Sequence, residues 1–151
     1  GQAQAKLNQP EAAIDAFKKS IELAPADRVP DYQNVFAQFY INAKRYDEAI
    51  ELLADPKAAA SQSPEQTLID LAKTWTNKEP NFAAAALEKV IKLNPANAEA
   101  YYDLGRLCYI DGKSKDARTK ELLNKYIEIG KDAAKIQEAK DLLVIINKRT
   151  K

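Results

Sequence analysis

Apolar residues recur along this chain at helical rather than alternating spacing. Ala13, Phe17, Ile21 and Ala24 fall at i, i+4, i+8 and i+11, and this one stripe predicts a helix running from Pro10 to Pro25. Pro10 suits a first helical turn, where its missing N–H has no intrahelical partner, and Pro25 restricts its predecessor and ends the run. The design returns 70 residues later as Pro80, Ala83, Leu87, Ile91 and Pro95. Between them, Pro30 to Ala43 predicts a helix with Val35, Phe36, Phe39 and Tyr40 inward. A turn at Lys44-Arg45 then leads into Tyr46–Leu53. Pro56 cuts that helix, and residues 58–62 (Ala-Ala-Ala-Ser-Gln) read as a linker or frayed turn.

Ser63-Pro64-Glu65-Gln66 has the form of a capping box, with the Ser63 hydroxyl on an orphan N–H and Gln66 reaching back. It opens a helix carrying Leu68, Leu71, Ala72 and Trp75. Asn97 caps the next, with Tyr101, Leu104, Gly105 and Cys108 on one face. The last helix, Asp132 to about Arg149, sets Ile136, Ala139, Leu143 and Ile146 on a stripe and charges on its other side.

The apolar phrases are repeats. Ala13, Ala49, Ala83 and Ala117 stand 36, 34 and 34 residues apart. A period in the mid-thirties implies stacked helical hairpins, since no single hairpin buries its own apolar face. After Asp111-Gly112 two registers compete. Counting forward puts Ala117 at the repeat alanine. Counting back from Leu123-x-Lys125-x-Ile127-x-Ile129, which parallels Leu87-x-Lys89-x-Ile91-x-Leu93, puts Thr119 there and lengthens the turn by two residues.

At these residues the chain resembles the tetratricopeptide repeat family over nearly its whole length. Tyr101-x2-Leu104-Gly105-x2-Cys108 matches the first half of that pattern and Gln33-x2-Phe36-Ala37-x2-Tyr40 matches it more loosely. The second half is carried by Ala13-x3-Phe17 with Pro25, Ala49-x3-Leu53, and Ala83-x3-Leu87 with Pro95. Leu71-Ala72-x2-Trp75 fits with one residue deleted before Ala83. The resemblance implies an all-α fold, a right-handed superhelical array of antiparallel helix hairpins with a C-terminal capping helix. Residues 1–27 form a partial repeat, 28–62, 63–96 and 97–131 full repeats, and 132–151 the cap. Gly1 stands twelve residues before Ala13, as Gly105 does before Ala117, so the chain is expected to enter partway along a repeat of a longer protein.

The resemblance also implies a function: a scaffold whose first helices line a concave groove for a peptide segment or protein partner. The groove positions are Asn34, Gln38, Ile41 and Asn42, then Ile69, Lys73 and Thr76, then Tyr102, Arg106 and Tyr109. Members that clamp a C-terminal carboxylate use basic residues and amides on these helices. Here Glu99 and Asp103 hold matching places and would repel one. The alternative is a substrate-presenting or regulatory flank of a larger enzyme.

Composition narrows the chemistry. The chain has no histidine and a single cysteine, Cys108, so an internal disulfide, a Cys-based metal site and a His general base are all out of reach. Its carboxylates are scattered, and no catalytic, cofactor or metal residue is expected. A net charge of +1 gives no global attraction to nucleic acid, although residues 113–151 hold 11 basic and 6 acidic groups. No apolar run approaches the ~18 residues that span a bilayer, so direct membrane insertion is not expected. A lone cysteine suits cytoplasm and periplasm alike. Val144 and Ile145 lie off the last helix's stripe and mark a candidate face for self-association.

Overall fold

The computed structural model describes residues 10–54 and 63–150. All regular structure among them is helical: α1 (Pro10–Leu23), α2 (Val29–Asn42), α3 (Tyr46–Leu53), α4 (Pro64–Trp75), α5 (Pro80–Leu93), α6 (Ala98–Asp111), a 3-10 turn at Lys113–Lys115, α7 (Asp116–Ile129) and α8 (Ala133–Arg149). Two compact units divide the chain, residues 1–60 and 61–151. The expected linker at 58–62, Pro56 and the opening residues around Gly1 lie outside the described residues.

In the first unit α1 packs on α2 and α2 on α3. Small residues set the approach, with Ala13, Ala37 and Ala49 fully buried. Aromatics fill the space beside them: the Phe17 and Phe36 rings stack at 5.0 Å, and Tyr40 lies 4.5 Å from Phe36. Lys44, at φ +58°, supports the reversal into α3. Val35 does not point inward as the pattern predicts. The buried arc of α2 is Phe36, Ala37, Tyr40 and Ile41, and Val35 falls about 100° outside it, 42% exposed.

In the second unit each helix packs on the next, from α4 through to α8. Phe82, Ala83, Ala86, Leu87 and Val90 form the buried face of α5, and Trp75 meets Phe82 edge-on at 5.5 Å. Ser63 caps α4 by accepting from the Gln66 N–H at 3.2 Å. Gln66 does not complete the box; its amide donates to Asp70 at 2.9 Å instead. Asn97 caps α6 through the Ala100 N–H, and Asp132 caps α8 through the Lys135 N–H.

The register after Gly112 is the one that reads backward. Thr119 is completely buried and Ala117 is exposed, so Thr119 holds the alanine place. The 3-10 turn takes up the extra length. Gly105 packs on the same helix: an added Cβ there would come within 2.8 Å of Leu123 Cδ2, so a larger residue needs the Leu123 side chain to shift. Helix α8 closes on α6 and α7 through Tyr102, Leu123, Tyr126 and Ala139, with Ile136 and Leu143 against them. Its far end is tied down by a bidentate Arg149–Asp116 pair, which holds the buried Asp116 carboxyl below its usual range.

Candidate functional site

In the first unit Asn34, Gln38 and Asn42 stand one turn apart on α2 and form a polar line. Asn34 and Asn42 are exposed, and Gln38 donates to Asn42 Oδ1 at 3.0 Å. Ile41, expected beside them, is buried and belongs to the core.

In the second unit the expected residues separate into two groups. Lys73 from α4 and Arg106 from α6 line one cavity of about 380 Å³. Its apolar wall is Ala72, Leu87, Leu107 and Ile110, and its polar lining is completed by Thr76, Asn77 and Asp103. Tyr102 is not among these residues. It is buried, its ring 5.0 Å from Tyr126, and its hydroxyl donates to Glu138 on α8 at 2.5 Å. Tyr109 is half-buried with the Arg149 guanidinium 4.9 Å over its ring. Ile69 is likewise buried. Tyr102 and Ile69 thus hold the fold together, because later helices cover faces that one helix's pattern leaves open.

The cations of the cavity already have partners. Lys73 Nζ meets Glu99 Oε1 at 2.5 Å, and Arg106 Nε lies 3.4 Å from Glu138 Oε1. Asp103 differs. Its Oδ2 is shielded from solvent and meets no hydrogen-bond donor among the described residues. Burial pushes its carboxyl above the usual range and the Glu99 charge adds to this, against Lys73, Lys135 and Arg106.

Sequence reasoning placed Lys73, Thr76 and Arg106 on this face and missed Asn77, Leu107 and Ile110. One signal was available. Ile110 lies seven residues after Asp103, on the same side of α6, and no core stripe had absorbed it; it is 73% exposed. Cys108 is half-buried, and burial raises its thiol, so it lacks the thiolate character of a nucleophile. No cluster of His, Cys, Asp and Glu suited to a metal ion occurs among the described residues, and no described helix is long and apolar enough to cross a membrane.

Close small-residue contacts between successive helices, repeated at the mid-thirties period, are the structural basis of the resemblance. Two family models described as tetratricopeptide repeat match the chain, one over residues 86–119 and the other over residues 1–27. Both matches support a tetratricopeptide repeat protein. Tetratricopeptide repeats generally mediate protein–protein interaction. The first match spans α6, with its Gly105, and ends on Thr119, the residue packed in the alanine place. No curated protein matches the chain.

Proposed function

We propose that this tetratricopeptide repeat protein is a non-catalytic scaffold. Its second unit would hold a peptide segment of a partner against α4 and α6, in the cavity bounded by Lys73, Asp103, Arg106 and Ile110. The observation that carries this reading is the cavity's composition. An apolar wall with a few convergent polar groups is the usual make-up of a site that seats a side chain. Both flanking elements are first helices of their hairpins, the ones whose faces serve recognition in this family. On the first unit the Asn34, Gln38 and Asn42 amides offer donors and acceptors of the kind that pair with an extended backbone.

Selection of displayed random peptides on the immobilised chain tests the reading. Enriched sequences are expected to bind at micromolar affinity or better, and to lose most of it on Asn77→Trp, which fills the cavity mouth from an exposed position. Peptides that bind Asn77→Trp as well as wild type would remove this cavity from the account.

A further inference from the structure

The outer face of α8 is apolar at its centre and charged on either side. Val144 and Ile145 are 51% and 45% exposed, on a helix whose inner face is sealed by Ala139 and Ile146. At about 100° per residue, Asp141, Val144, Ile145 and Lys148 share roughly 100° of arc, opposite that buried stripe. The charges are placed evenly about the aliphatic pair. Asp141 precedes Val144 by three residues, and Lys148 follows Ile145 by three. They stand about 10 Å apart along the helix, too far to pair with each other. Asp141 accepts from the Gln137 amide through Oδ1 at 2.9 Å and meets no cation among the described residues. Lys148 meets no acid among them. Both side chains are exposed.

We propose that α8 pairs with α8 of a second copy, antiparallel about a two-fold axis between Val144 and Ile145. In a two-fold interface every contact is made twice, residue i on j and j on i. An axis at this point sets Asp141 against Lys148 of the second copy, Lys148 against its Asp141, and the aliphatic pairs against each other. The face is thus its own complement. A parallel arrangement would instead bring Asp141 onto Asp141 and Lys148 onto Lys148. The contact is small: one helix per copy, over about three turns, buries less than the ~1,200 Å² of a stable dimer. Association is therefore reversible, with a dissociation constant on the order of 10⁻⁴ M. The face shares no residue with the α4–α6 cavity, so this pairing and the groove reading stand or fall separately.

Sedimentation equilibrium of the intact chain at low ionic strength, from ~10 μM to ~1 mM, tests the pairing. Wild type is expected to move from monomer toward twice the monomer mass. Asp141→Lys alone and Lys148→Asp alone each set like charges together twice, and should associate at least ~tenfold more weakly. Mixed in equal amounts, the two variants should pair with each other about as well as wild type. One then carries two lysines on this face and the other two aspartates, so both cross-contacts join opposite charges. Recovery in the mixture also shows that each variant is folded. The double swap Asp141→Lys/Lys148→Asp should regain wild-type association by itself. Val144→Gln/Ile145→Gln keeps good helix formers at exposed positions and should stay monomeric throughout. A wild type that remains monomeric at ~1 mM would overturn the proposal. So would a mixture that associates no better than its components, or association that survives the glutamine pair.

Discussion

The Tyr102 hydroxyl donates to Glu138 Oε2 across 36 residues of sequence, joining α6 to α8. The tyrosine ring is buried against Tyr126, and Arg106 and Lys135 lie over its faces at 5.7 and 5.0 Å. A residue that reads as a groove contact is therefore a joint between the last hairpin and the final helix. Tyr102→Phe should cost ~1–2 kcal/mol, the worth of a hydrogen bond to a charged group whose carboxylate stays half in solvent. Tyr102→Ala should cost ~3–5 kcal/mol by leaving a cavity. Urea unfolding of the two variants checks both values, and equal losses would deny the ring its packing role.

Alkaline stability follows from the same contact. Burial, then the hydrogen bond to Glu138, push the Tyr102 phenol up to about 12 from an ordinary value of 10.0. The folded value lies above the unfolded one, so the unfolded chain loses this proton first. Stability from Tyr102 is thus complete below pH 10 and declines as pH rises through the window to about 12. Tyr40 and Tyr126 shift in the same direction, mainly through burial. Stability measured across this window should fall less steeply in Tyr102→Phe than in wild type; parallel curves would contradict the assignment.

The register of the last hairpin is tested by moving one lysine two residues. Ala117→Lys should leave stability within ~0.5 kcal/mol, as for an ordinary surface change. Thr119→Lys places an ammonium where nothing is exposed and should cost several kcal/mol or unfold the second unit. Thr119→Ala should be far milder, since it restores the residue found at this place in α1, α3 and α5. Thermal melts of the three variants decide between the two registers.

Gly105 pairs with that register. In Gly105→Ala the new methyl meets Leu123, whose side chain is fully enclosed and has little room to yield. Overpacking costs ~1–3 kcal/mol, and the better helix propensity of alanine returns ~1 kcal/mol. A net loss of ~1 kcal/mol is expected. A gain in stability would mean that α6 and α7 can separate without cost.

Much of this fold is legible in the sequence because its rules are local. Proline positions, Asn and Ser caps and the 3.6-residue stripe place the helices to within a residue or two. What escapes a single-helix reading depends on the neighbouring helix. Thr119 outranks Ala117 only because Gly105 and Leu123 fix how α7 lies on α6. Gln66 abandons the capping box because Asp70, one turn on, takes its amide. Of the expected groove residues, Lys73 and Arg106 do share a cavity. Tyr102 and Tyr109 are claimed by Glu138 and Arg149, 36 and 40 positions downstream, and no pattern within α6 reports them. The unsatisfied oxygen of Asp103 is likewise a property of the packed unit.

A partner held on the α4–α6 face of the second unit, as proposed, would perturb that face first. A methyl-resolved NMR titration of the intact chain with the tightest selected peptide tests it most directly. Shifts are expected to concentrate at Ala72, Leu107 and Ile110, with the buried methyls of Leu122 and Val90 little changed. Shifts confined to Val144 and Ile145 on the outer side of α8, with the cavity methyls still, would contradict it.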